Sequence, residues 1–249
     1  MGAGTNQETA ARRDVAAACH LAHDFGWSDL LASHISARIP GTDEFLVNPY
    51  GLLFEQVTAS SLIRVDFEGR VLTPTEHVLN PGAFVIHSAL YRHRPDVGSV
   101  IHLHTRDGVA VSTQHEGLLP VTQHSLVIWH QVAYHDFEGV ATDTGECARI
   151  AANLGPRKLL ILRNHGTLSA GRSVGEAFAM MYRLERACRT QIAAQAGGTP
   201  LRAIPSDVVE KSIEQGRQIF SDAGFAPGGE LEWRALVRKL EAAGTDCWS

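Results

Sequence analysis

From Glu8 to Phe25, alanines and other apolar residues recur three and four apart and Gly26 follows, which predicts a first helix ended by a glycine. Ser33 to Ile39 alternates apolar and polar residues in the manner of a strand, Pro40-Gly41 supplies a turn, and Glu44 to Val47 a second strand. Ser61 to Asp66 and Val71-Leu72 flank Glu68-Gly69 as a second hairpin. Pro81 opens a helix that runs through Arg92, because proline fits the first helical turn, and Arg94-Pro95-Asp96 closes it. Val97 to Thr105 and Lys158 to Arg163 predict further strands. Ser173 to Ala194 predicts a long helix with Val174, Ala177, Phe178, Met181 and Leu184 on one face. Strands and helices alternate, so the fold class is α/β and layered. Past Gly197-Gly198-Thr199-Pro200, two amphipathic helices, Ser206 to Ala223 and Gly229 to Ala242, divide the chain into a main domain over 1–198 and a helical extension over 199–249.

Composition narrows the partners. A chain of 249 residues can bury one large core. Its 22 basic and 27 acidic residues leave a net charge of −5, which offers no electrostatic footprint for nucleic acid or anionic lipid. No apolar run reaches the roughly 18 residues that a membrane span needs. The opening MGAGTNQETAARRD lacks the apolar stretch of a signal peptide, so a cytoplasmic protein is expected. Cys19, Cys147, Cys188 and Cys247 lie far apart, with no CxxC pair. Histidine is the unusual residue, with 13 copies.

Two of those histidines stand in Ile101-His102-Leu103-His104-Thr105. Side chains two apart on a strand share a face, so His102 and His104 present their imidazoles in one direction, as metal ligands or as two half-buried, hydrogen-bonded rings. His165 follows the apolar run Leu159 to Leu162 and precedes Gly166, at the kind of element end where α/β sheets carry their sites. Three neutral imidazoles from two strand ends would leave coordination positions open, as a catalytic metal requires. His87 lies in an apolar helix face beside Phe84, Leu90 and Tyr91 and reads as a core or supporting residue.

The run Asn80 to Thr105 (NPGAFVIHSALYRHRPDVGSVIHLHT), VAYHDFEG at 132–139, NLGP at 153–156 and LLILRNHG at 159–166 resemble the class II aldolase/adducin family. NPYGLLFEQVTASSL at 48–62 resembles its adducin-type branch. The resemblance spans residues 10–195. It implies an αβα domain around a mostly antiparallel sheet with helices on both faces, a homotetramer with sites near subunit interfaces, and a divalent ion held by His102, His104 and His165. Zinc is the expected ion, with manganese or iron as the others.

The departures from the family pattern bear on the substrate. Sugar-phosphate aldolases of this family carry a Ser-Ser-Glu run that binds phosphate and supplies an acid/base carboxylate; here Pro81-Gly82-Ala83 stands in its place, and Ser33-His34 replaces a phosphate-holding Gly-Asn pair. Glu76 is a candidate replacement for the lost carboxylate. The proton-donating tyrosine of those aldolases falls at His124, to be read as a general acid or base or as a subunit contact. Ser36, Arg38, Asn80, Gly82 and Arg163 are the expected substrate-binding residues. The resemblance thus implies a metal-dependent lyase that cleaves a carbon–carbon bond, by decarboxylation or retro-aldol reaction, in a small non-phosphorylated oxo or hydroxy acid or carbonyl compound. The alternatives are an adducin-like scaffold without catalysis and an Fe(II)-dependent oxygenase on the same site.

Overall fold

In the computed structural model, which describes residues 3–140 and 144–249, one seven-stranded sheet is sandwiched between helices. The strands are β1 (His34–Arg38), β2 (Glu44–Val47), β3 (Ile63–Asp66), β4 (Ser99–Leu103), β5 (Val132–His135), β6 (Leu159–Leu162) and β7 (Gly166–Gly171), in the order β3-β2-β1-β4-β7-β6-β5. Every neighbouring pair is antiparallel except β5 with β6, so the mostly antiparallel sheet is a mixed one. The helices are α1 (Ala3–Asp24), α2 (Pro81–His93), α3 (Arg106–Ser112), α4 (Gln123–Ile128), α5 (Cys147–Leu154), α6 (Val174–Ala196), α7 (Ser206–Ile219) and α8 (Glu230–Ala242).

The two-residue period of the strands sorts side chains between the layers. Ile35 and Ala37 of β1, with Ile101 and Leu103 of β4, pack under α1 and α6 with Val15, Leu21, Phe178 and Met181. Val100 of β4 and Val65 of β3 pack on the other side against Ile86, Leu90 and Tyr91 of α2 and Ile150 of α5. His34, Ser36 and His102 therefore face α2, because His34 pairs with His102 and Ser36 with Val100 across the β1–β4 ladder. α2 begins where Asn80 caps it, its side-chain oxygen accepting from the Gly82 and Ala83 N–H groups, with Pro81 in the first turn.

The 199–249 segment is fastened to the rest of the molecule. Trp233 and Leu240 of α8 join the cluster under α1 and α6, and the Trp233 indole N–H donates to Asp14. Beyond α8, the Ala59 and Ser60 N–H groups donate to the carbonyls of Cys247 and Ser249. Among the described residues no helix is long and apolar enough to cross a membrane. β7 and the short helices α3, α4 and α5 were not among the elements expected; β7, GTLSAG, is buried at all six positions and alternates over only four residues, Thr167 to Ala170, between two glycines.

Candidate metal centre

β4 and the β6–β7 turn meet at one end of the sheet, and there the structure brings His102, His104 and His165 together. Their ligating nitrogens all lie within 4.8 Å of one another. His102 Nε2 is 2.8 Å from His104 Nε2 and 3.2 Å from His165 Nε2. The turn that delivers His165 is tight: its N–H donates to the Leu162 carbonyl, and Asn164 takes a left-handed φ of 58°, which asparagine tolerates better than most residues. Gly166 lets β7 start against β4, since a Cβ there would meet the Leu103 carbonyl at 2.5 Å.

The protonation of this cluster follows from its other contacts. A carbonyl only accepts, so the His102 Nδ1–H donates to the Thr167 carbonyl at 3.0 Å, which leaves Nε2 a bare lone pair. The Asp29 carboxylate lies 3.2 Å from His104 Nδ1 and likewise accepts its N–H. Burial, with the neighbouring imidazoles, pushes the His102 pKa well below its ordinary value, and burial is the largest cause that lowers His165 to about 4. With both rings in their Nδ1–H tautomers, two lone pairs face each other at 2.8 Å with no hydrogen between them. That arrangement is repulsive by itself and is relieved by a cation between the nitrogens, so the donor set fits a metal ion, with its tautomers fixed by outer hydrogen bonds.

The three imidazoles open on a cavity of about 1010 Å³ walled by Leu31, Leu53, Ile86, Phe137 and others. Asn80 and Gly82 line it, although the Asn80 oxygen is occupied in capping α2. Ser36 is wholly buried one layer behind and reaches His87 and Tyr91 instead of the cavity. Three other expected residues are not brought there. Arg38 sits four residues along β1 from His34, about 13 Å at strand rise; its guanidinium lies over Phe67 and Tyr91, donates to the Tyr91 carbonyl, and lines a different cavity. Arg163 turns away from His165, stacks on Tyr134 with 4.5 Å to the ring centre, and donates to the carbonyls of Gln114 and His115. His124 is exposed in the first turn of α4 and is not among the described residues lining the cavity. Glu76 is exposed and also absent from those walls. Ala83, where the aldolase carboxylate would stand, is buried in the α2 core.

Sequence reasoning missed Asp29 as a partner of His104 and did not foresee the role of His34, which lines the cavity with its ring 4.9 Å from that of His102. The signals for His34 were its alternation with Ser36 on β1 and the resemblance that sets Ser33-His34 in place of a phosphate-holding Gly-Asn pair. Asp29 comes from an irregular segment in which Leu30 holds a strained φ of 43°, and no pattern announces it.

Fold and side-chain placement together define an α/β protein with three convergent imidazoles at a sheet end, open to a cavity. Residues 13–192 match the family model described as "Class II Aldolase and Adducin N-terminal domain". The chain belongs to that family. It is 45% identical to an aldolase II superfamily protein from Pseudomonas syringae, with a TM-score of 0.91 over 98% of this chain and 96% of that one. It is 26% identical to the L-fuculose 1-phosphate aldolase of Glaciozyma antarctica, with a TM-score of 0.82 over 97% and 94% of the two chains. It is also 41% identical to rat alpha-adducin over 94% of this chain, which corresponds to 33% of that longer protein.

Proposed function

We propose that the protein is a divalent-metal-dependent carbon–carbon lyase acting on a small, non-phosphorylated oxo or hydroxy acid or carbonyl compound. The observation that carries this reading is the convergence of three imidazole nitrogens within 4.8 Å at the edge of a cavity large enough for a guest. The chemistry a bound divalent ion supplies there is Lewis acidity toward a carbonyl oxygen and toward the charge that gathers on it as a neighbouring carbon–carbon bond breaks. Zinc suits neutral imidazoles with positions left open, and manganese or iron are the other candidates. The chain's own residues do the rest: Thr167 and Asp29 hold the ligand tautomers, while Leu31, Leu53 and Ile86 keep water from the guest's apolar side.

No arginine or lysine is among the described residues that line the cavity, so a phosphate dianion would meet no side-chain cation, which favours a non-phosphorylated guest. Ala83 leaves the site without the acid/base carboxylate, and decarboxylation breaks its bond without prior proton removal; it is the reaction least hindered by that loss. The exposed apolar rim of Leu30, Tyr50, Phe137 and Val140 supports a homotetramer in which another copy covers the mouth.

Metal analysis of the purified wild type beside His102→Ala and His165→Ala tests the site: close to one divalent ion per chain is expected, falling below a tenth in either variant. A panel of 2-oxo and hydroxy-aromatic acids, followed for released CO₂ or aldehyde, then separates decarboxylation from retro-aldol cleavage. Oxygen uptake by the iron-loaded protein would favour the oxygenase, and a metal-free wild type the adducin-like scaffold.

A further inference from the structure

Behind the metal ligands runs a chain of buried polar groups that the lyase reading does not use. His34 Nδ1 lies 2.7 Å from His87 Nε2, His87 Nδ1 contacts the Ser36 hydroxyl, and that hydroxyl lies 2.7 Å from the Tyr91 hydroxyl. All four residues are at most 3% exposed. The alignment has a simple cause. His87 and Tyr91 are four apart on α2, a rise of about 6 Å, and His34 and Ser36 are two apart on β1, a rise of about 6.6 Å, so the two elements stay in step and their side chains interleave.

The direction of this chain can be read from its far end. Tyr91 is 1% exposed, and the Ser36 oxygen is the one acceptor for its hydroxyl hydrogen among the described residues. A buried hydroxyl hydrogen without an acceptor is costly, so Tyr91 donates to Ser36. The Ser36 hydrogen then goes to His87 Nδ1. Burial holds His87 neutral, its pKa lowered to about 3, so its single hydrogen sits on Nε2 and is donated to His34 Nδ1. His34 therefore carries its own hydrogen on Nε2, which has no partner among the described residues on a ring that lines the cavity beside His102. The reverse direction would strand the Tyr91 hydrogen.

The geometry points to His34 Nε2–H as a substrate-binding donor that grips a carboxylate oxygen of the guest next to the metal position, with His87, Ser36 and Tyr91 as positioning residues that fix its tautomer. This assigns the carboxylic acids, among the compounds considered above, as the substrate class, and it rests on the metal reading for the neighbour of the gripped oxygen. In this tautomer His34 is no fourth metal ligand, since its cavity nitrogen has no lone pair to give.

Two measurements decide it. Long-range ¹⁵N–¹H NMR of the histidine rings, on metal-free and zinc-loaded protein, is expected to find His34 as the Nε2–H tautomer, and Ser36→Ala to mix or reverse it. Oxalate serves as a carboxylate probe of the zinc-loaded protein by titration calorimetry. His34→Leu is expected to weaken its binding on the order of tenfold or more with zinc content unchanged, and His34→Gln, which keeps a donor at the same reach, to restore most of it. An Nδ1–H tautomer for His34 in the wild type, or wild-type oxalate affinity in a zinc-replete His34→Leu, overturns the assignment. A wild type that takes up no zinc overturns the lyase reading instead, and the metal-free spectra still report the His34 tautomer.

Discussion

Gly166 shows how a single residue governs the site. It joins β7 to the turn that carries His165, and a methyl group there would press on the Leu103 carbonyl and on the His104 ring, at 2.5 and 2.9 Å. Backbone cannot yield as a flexible side chain does, so Gly166→Ala is expected to push the starts of β7 and the ends of β4 apart. A stability loss of about 1–3 kcal/mol should follow in urea denaturation, together with weaker zinc retention against a chelator, because two of the three proposed ligands flank the contact. The three histidines that converge were legible in the sequence as candidates: an HxH pair on a strand and a His-Gly after an apolar run carry their chemistry in local spacing. Their supporting partners were not legible. Thr167 accepts the His102 N–H through its backbone carbonyl, which every residue possesses, and Asp29 reaches His104 from 75 residues away.

Elements were read best where periodicity and punctuation agreed. α2 begins at Pro81 as expected and ends at His93, and α6 starts at Val174, one residue inside the range expected. β7 escaped because its alternating stretch, Thr167 to Ala170, is only four residues long between two glycines, and Gly166 and Gly171 sit where neighbouring backbone approaches too closely for a side chain. At this scale α6 carries a pH-dependent tie to the sheet: Glu176, nearly buried in its first turn, receives Lys158 at 2.6 Å and the Arg172 N–H at 2.6 Å. Burial alone would raise the Glu176 pKa, but these donors outweigh it and hold the carboxyl below its ordinary 4.5. A depressed carboxylate pKa gives stability that is present above the unfolded value and is lost as pH falls through the folded one. Glu176→Gln should therefore cost about 3 kcal/mol at pH 7. The gap to the wild type should close as pH is lowered below 4.5, read from thermal unfolding across pH.

For the whole molecule, the C-terminal helix α8 shares the core of the sheet domain. Trp233 packs against Phe178 with ring centres 5.7 Å apart, lies over Gly175, where a Cβ would meet it at 2.7 Å, and binds Asp14 of α1. Trp233→Ala is expected to lower stability by about 3 kcal/mol in chemical denaturation while leaving zinc stoichiometry unchanged, since the cavity it creates lies under α1 and α6, across the sheet from the His34–His87 chain. A zinc loss equal to the fold loss would instead tie this end of the molecule to the site.

The amino-acid order by itself determined the layered α/β character, most of the long helices and the three imidazoles, because these depend on the spacing of neighbours along the chain. Tertiary structure alone decided which polar groups meet: that Arg38 and Arg163 turn to aromatic faces and carbonyls, that Asp29 reaches His104, and that α2 keeps pace with β1 so that Tyr91, Ser36 and His87 orient His34. The reason is physical. A hydrogen bond acts over about 3 Å and depends on direction, and partners dozens of residues apart come within that reach only when sheet register and helix docking have set both their distance and their angle.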